Sequence, residues 1–125
     1  IDQVLKKFTK KKIEVSFTPH LTPMFRGILS TIYLDLEKNV SQKKVIKLLS
    51  NFYKREKFVK ILKFNTLIST NDVINTNNCL ISVCKSKFKN KIIILSAIDN
   101  LIKGGAGQAI QNLNLKFGFS SSEGL

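Results

Sequence analysis

Cysteine, histidine, arginine and acidic side chains are all scarce in this chain of 125 residues, and each scarcity narrows what the protein can do. The only cysteines are Cys79 and Cys84, and there is no CxxC pair. Ligands at metal-binding spacing are therefore missing, which argues against a zinc site. The two thiols lie five apart in a strand-like run, which points them to opposite faces and keeps them from bridging. A reduced, cytosolic setting follows as the expectation. No apolar run reaches membrane-spanning length and no signal-peptide pattern is present, so no membrane partner is expected. The sequence begins on Ile1 rather than Met, which reads as a fragment or a processed form.

Acidic residues number 8 against 21 basic ones, for a net charge of +13. Such an excess ordinarily raises nucleic acid as a partner. Only Arg26 and Arg55 are arginines, however, and nucleic-acid surfaces favour the flat arginine fork. The lysines are spread along the chain amid many Asn and Ile, as an AT-rich coding sequence would produce. A small basic nucleic-acid-binding module therefore stays as the alternative reading, resting on charge alone.

What is abundant is apolar: 43% of residues, including 9 Phe. That suits one domain with its own core. Ile1, Val4, Leu5 and Phe8 fall on one face of a helix end, and Lys10–Lys12 then read as a solvated loop. Ile13, Val15 and Phe17 alternate with polar residues, which predicts a strand with one face buried. A second alternating strand is predicted from Gly27 to about Glu37. Ser41 caps a predicted helix to about Lys54, with Val45, Leu48, Leu49 and Phe52 as its apolar stripe. A short strand follows at 58–62, then a polar loop over 65–78 with a brief strand near Val73. Leu80–Cys84 and Lys91–Ala97 form an antiparallel pair, and the unbroken Ile92–Leu95 run predicts a strand covered on both faces. The last element is a helix from about Asp99 to Phe117, stopped by Gly118. The fold class is α+β, a mostly antiparallel mixed sheet with helices on one face.

Three stretches carry more chemistry than packing requires: Phe17–Gly27, Ser96–Ala109 and Asn75–Cys79. In Phe17–Gly27, His20 and Arg26 lie six apart around Pro19 and Pro23. Prolines lock a loop, histidine moves protons near neutral pH, and arginine grips a carboxylate or phosphate through two parallel bonds. The same residues also suit a rigid turn with surface charges. In Ser96–Ala109, a strand runs into a helix start holding Gly104, Gly105 and Gly107. Glycine in a helix costs about 1 kcal/mol against alanine, so something must approach closely. A dinucleotide or phosphate fits such a place, and so does tight helix packing. Cys79, after the Asn75–Asn78 turn, has no partner base and reads as a structural thiol.

Together these stretches strongly resemble the N-acetyl-gamma-glutamyl-phosphate reductase family. Phe17–Tyr33 follow its F-T-P-H-L-x-P-M-x-R-G-I-L-x-T-I-Y block. Asp99–Asn114 follow its D-N-L-x-K-G-A-A-G-Q-A-x-Q-N-x-N block, with Gly105 in place of the first alanine. Glu123-Gly124-Leu125 fits the closing G-L. In the weaker middle block, Thr70, Val73, Thr76, Asn77 and Cys79 fit, while Asn75 replaces a usual glycine and Ile68 a usual proline.

The resemblance implies a reductase that uses NADPH to convert N-acetyl-glutamyl phosphate to N-acetyl-glutamate semialdehyde in arginine biosynthesis. It further implies a fold like the catalytic and dimerisation domain of semialdehyde and glyceraldehyde-phosphate dehydrogenases. The nucleophilic cysteine, which forms a thioacyl intermediate, and the base histidine would lie upstream of Ile1, in or near an absent Rossmann domain. No catalytic residue and no metal ligand is then expected here, and the fragment alone would be inactive. Residues 1–98 would form a substrate and dimerisation domain, with 99–125 a final helix returning to the Rossmann domain. His20 and Arg26 would meet the substrate. Asn100 would hold the nicotinamide carboxamide, with Gly104 and Gly105 close to the NADP cofactor. A cytoplasmic homo-oligomer, dimer or tetramer, completes the expectation. A decayed remnant with a structural role only is the third possibility.

Overall fold

The computed structural model describes residues 2–5, 7–9 and 13–125, with Asp2 and Gln3 described by backbone alone. Four strands form one sheet: β1 (Ile28–Asp35), β2 (Val59–Ile61), β3 (Cys79–Lys85) and β4 (Lys91–Ile98). Their order is β1-β4-β3-β2, with β1/β4 and β4/β3 antiparallel and β2/β3 parallel. With the helices α1 (Asp2–Leu5), α2 (Gln42–Phe52) and α3 (Gly107–Phe117), the fold is α+β with a mixed sheet. No helix among the described residues is long and apolar enough to cross a membrane.

β4 lies between β1 and β3, which is why its apolar run is continuous. Ile92 and Ala97, on opposite faces, are both fully buried. On one face Leu80, Leu95 and Ala97 pack with Leu62, Ile68 and Val73 from the segment that links β2 to β3. Val83 and Ile92 carry the burial of the other face. A parallel pair needs a long crossover; here the link from Ile61 to Cys79 contains a 3-10 turn, Thr70–Asp72, and not the brief strand expected at Val73. Val73 is buried as a core plug under the sheet instead. Cys79 and Cys84 are free thiols.

α2 begins where the cap residue predicts. Ser41 has extended backbone and its hydroxyl accepts from the Lys44 N–H. The helix packs across β2 and β3, but its inward stripe is rotated from the expected one. Val45, Ile46, Leu49 and Tyr53 are half-buried, whereas Leu48 and Phe52 face out. Ile46 and Tyr53 complete a stripe at helical spacing that competes with the expected one, and the position of the sheet selects it.

Three expectations change more substantially. Residues 13–17 form no strand: Ile13, Val15 and Phe17 are exposed, and β1 ends the sheet without a neighbour on its outer edge among the described residues. Alternation marks a surface made to be covered, and no strand among the described residues pairs with it. In β1 itself Ile28, Leu29, Ile32, Tyr33 and Leu34 are likewise all exposed. At the amino terminus the helix described is α1, one turn, with Val4 exposed, and Phe8 lies beyond it in a turn, exposed as well. Ile1 and the Lys10–Lys12 loop lie outside the described residues.

The last helix starts later than expected. A π-helical turn, Ile102–Ala106, precedes α3, and within it Gly105 (φ −144°, ψ −114°) breaks the helical path. Gly118 ends α3 as expected, in the left-handed conformation at φ 77°. The face that α3 buries is not the apolar one. Gly107, Gln111 and Asn114 are buried, while Ile110, Leu113 and Phe117 are 41%, 53% and 63% exposed.

Candidate functional site

The proline-bound loop, the Asn-rich turn and the start of the last helix meet at one carboxylate. Asp99, directly after β4, is completely buried. Its Oδ1 accepts from Arg26 Nη2 at 2.9 Å and from the backbone N–H groups of Leu101 and Ile102 at 2.9 and 3.0 Å. Its Oδ2 lies 2.9 Å from the same Nη2 and accepts from the Asn75 N–H at 2.8 Å. Burial alone would raise this carboxyl's pKa. The Arg26 guanidinium and the N–H groups of Asn75, Ile102 and Leu101 outweigh it and hold the group at about 2. A charge buried without such partners would be prohibitive.

Arg26 also donates from Nη1 to Asn75 Oδ1 at 3.1 Å, and its buried Nε has no partner. The fork that would grip a substrate anion therefore already grips the chain's own carboxylate. Beside it, the Gly27 N–H donates to Asn100 Oδ1 at 2.6 Å. Gly27 has φ 108°, and a Cβ there would lie 2.7 Å from Thr70 Cβ, so only glycine fits. His20 stands apart. It is exposed on the irregular stretch before β1, with Nδ1 3.2 Å from the Thr18 carbonyl oxygen. Arg26 and Asn100 are thus brought together, and the hydrogen bond of His20 goes to neither.

The glycines divide in a way spacing could not show. A Cβ at Gly104 would meet Ile98 Cδ1 at 3.5 Å, an ordinary contact, and one at Gly105 would meet the Asn100 carbonyl oxygen at 3.4 Å. Both residues are exposed. At Gly107 a Cβ would lie 2.5 Å from Asn77 Oδ1 and 2.7 Å from Ile102 Cγ2. Tight internal packing is therefore the task of Gly107, while Gly104 and Gly105 leave open surface.

The polar face of α3 is held by a small network. Asn77 Nδ2 and Lys103 Nζ both donate to Gln111 Oε1, at 3.3 and 2.7 Å. Lys103 lies over the Phe58 ring, and its burial lowers its pKa. Asn114 Nδ2 donates to the Glu123 carbonyl, tying the closing segment back onto the helix. Cys79 Sγ sits 3.6 Å from Ser96 Oγ, a hydroxyl and not a base. Among the described residues no three of His, Cys, Asp and Glu gather where a metal ion could sit. A hollow of about 510 Å³ runs along α2, lined by Lys44, Lys47, Leu48, Asn51 and Phe52. None of the three motifs borders it.

Sequence reasoning placed Asp99 in the right stretch but gave it no role, and it took Asn75 as a departure. Asn75 has φ 61°, a conformation that glycine reaches freely and asparagine tolerates. Its side chain adds the bond from Arg26 that a glycine could not make. The available signal was an aspartate at a strand-to-helix junction, a position where the carboxylate caps the first free N–H groups.

A model of the family described as "Semialdehyde dehydrogenase, dimerisation domain" matches residues 1–100. Among curated proteins, an N-acetyl-gamma-glutamyl-phosphate reductase of Clostridium botulinum (strain Eklund 17B / Type B) is 46% identical over 125 residues, all of this chain and 36% of the relative. One from Vesicomyosocius okutanii subsp. Calyptogena okutanii (strain HA) is 49% identical over 123 residues, 98% of this chain and 35% of the relative. The chain thus spans about a third of the length of these relatives. Among solved structures, an aspartate semialdehyde dehydrogenase II from Vibrio cholerae aligns with a TM-score of 0.53 at 19% identity, covering 75% of this chain and 28% of the other. That likeness concerns the fold. The match across residues 1–100 and the mixed-sheet α+β architecture lead to one assignment: the chain belongs to the semialdehyde dehydrogenase dimerisation-domain family.

Proposed function

We propose that this chain is the substrate-facing and subunit-pairing portion of an N-acetyl-gamma-glutamyl-phosphate reductase. The whole enzyme reduces the acyl phosphate to N-acetyl-glutamate semialdehyde in arginine biosynthesis, releasing phosphate, in the cytoplasm. NADPH, bound largely by a Rossmann domain outside this chain, supplies the hydride. The nucleophilic cysteine and the base histidine belong to that outside part, so the chain alone is inactive. The comparisons support this reading and not the basic nucleic-acid-binding module.

One observation carries the residue roles: Arg26-Gly27 and Asp99-Asn100 grip each other, which joins the proline loop to the start of the last helix. Asn100 spends its Oδ1 on Gly27, which leaves its Nδ2 as a donor. A donor suits the carbonyl oxygen of a nicotinamide carboxamide. The open surface at Gly104 and Gly105 allows close approach of the same cofactor. On the substrate side, His20, whose Nδ1 is engaged by the Thr18 carbonyl, offers its Nε2, and Arg26 fixes the loop that carries it.

Residues 99–125 are the return to the missing domain. The apolar residues that α3 turns outward, Ile110, Leu113 and Phe117, support this, because an apolar stripe of that kind is normally covered. The bare apolar strand β1 supports pairing with a second subunit, giving a dimer or tetramer. The test is Asn100→Ala in the full-length enzyme. The KM for NADPH should rise with little change in the KM for the acyl phosphate. An unchanged KM for NADPH would remove the cofactor role.

A further inference from the structure

Both oxygens of Asp99 are filled by partners from this chain, three of them backbone N–H groups. Asp99 is completely buried and out of a substrate's reach, and a carboxylate held at about 2 takes up no proton near neutral pH. Asp99 is therefore neither an acid-base group nor a ligand. What it does is mechanical. Arg26 and Gly27 are adjacent, as are Asp99 and Asn100, and the two dipeptides are joined by two bonds. One bond is the ion pair. The other is the Gly27 N–H on Asn100 Oδ1, and it decides which way the amide points. Were the amide turned over, Nδ2–H would face the Gly27 N–H, donor against donor. Gly27 follows Arg26, which the ion pair holds, and a side chain at Gly27 would strike Thr70, whose Cβ lies 2.7 Å from where the new Cβ would stand.

We propose that Asp99 is a positioning residue that, through Arg26 and Gly27, locks the Asn100 amide with its donor side toward the dinucleotide. The proposal rests on the reading of Asn100 as a cofactor contact. It assigns Arg26 to the same lock. Loss of either charge frees the dipeptide pair and lets the Asn100 amide sample the wrong orientation.

The test uses the full-length enzyme with three single variants, Asp99→Asn, Arg26→Gln and Asn100→Ala, and the two double variants that combine Asn100→Ala with each of the others. The readouts are kcat, the KM for NADPH and the melting temperature. Asp99→Asn and Arg26→Gln should each reduce kcat/KM for NADPH about ten- to a hundredfold, the range for loss of a group that orients a ligand contact. The loss should appear mainly in KM. Each double variant should be no worse in this parameter than Asn100→Ala alone, because the lock acts only through that amide. A purely structural role would instead give losses that multiply. Should Asp99→Asn fail to fold, Arg26→Gln leaves Asp99 its three backbone donors and carries the same cycle. Multiplying losses, or a folded variant with a wild-type KM for NADPH beside an impaired Asn100→Ala, overturn the positioning role alone. A wild-type KM in Asn100→Ala overturns both the lock and the cofactor reading beneath it.

Discussion

Gly107→Ala sets two physical effects against each other. Gly107 is the first residue of α3, and helix propensity favours alanine over glycine by about 1 kcal/mol. Packing says the reverse. The new methyl would lie 2.5 Å from Asn77 Oδ1, 2.7 Å from Ile102 Cγ2 and 2.9 Å from the Ile102 carbonyl oxygen. The carbonyl belongs to the π-helical turn and cannot swing aside as a side-chain tip does. Overpacking of this kind costs about 1–3 kcal/mol. Displacing Asn77 would also strain its bond to Gln111, a further contribution of about 0.5–1.5 kcal/mol. Balanced against the propensity gain, the net is a destabilisation of about 1–3 kcal/mol. Gly104→Ala is the control. Its methyl would meet ordinary contacts at 3.5 Å and beyond, so stability should hold or rise by up to about 1 kcal/mol. Denaturant unfolding of both variants in the full-length enzyme reads the difference as opposite shifts in midpoint at constant slope. A midpoint raised by Gly107→Ala would refute the packing argument. If Gly104 lies against the cofactor, its alanine variant should also bind NADPH more weakly while remaining as stable as wild type.

Acid provides a second check. The Asp99 carboxyl is held at about 2 against an ordinary 3.8, so its partners favour the folded state fully above about pH 4, and that contribution fades as pH falls through 2. The stability gap between wild type and Asp99→Asn, measured by denaturant unfolding at stepped pH, should be flat from pH 7 to about 4 and close below that. A gap that closes between pH 7 and 5 would point to another group. A third check concerns the outward face of α3. Leu113→Glu alters an exposed side chain of this chain, yet in the full-length enzyme it should cost about 2 kcal/mol or more if the proposed Rossmann domain covers this face and buries the charge. An unchanged melting temperature would mean that this face stays wet.

Strands and caps were legible because they are local. β4 announced its central place through Ile92–Leu95, and Ser41 and Gly118 marked helix ends through the backbone groups they satisfy. Elements whose partners are distant or absent were harder to read. Residues 13–17 have a good strand pattern and no strand pairing among the described residues, so the pattern describes a surface and not a pairing. In α3 the apolar stripe was read correctly as a stripe, but the chain itself buries the Gly107, Gln111 and Asn114 side. Periodicity locates a face without saying which body covers it. The site shows the same division. The loop and the glycine-rich helix start were visible as motifs, whereas the pairing of Arg26 with Asp99 spans 73 positions and leaves no mark in local spacing.

Asn75 shows how a substitution can be absorbed and put to use. Every non-glycine residue with positive φ among the described residues is an asparagine: Asn39, Asn65 and Asn75. Composition rich in this amino acid thus costs little at bends, since its amide tolerates the geometry that glycine otherwise supplies. At position 75 the exchange has a return, because Oδ1 takes a hydrogen bond from Nη1 of Arg26. The turn consequently holds the guanidinium from a second direction, and the hold on Asp99 is tightened by a residue whose first qualification was merely that it could bend.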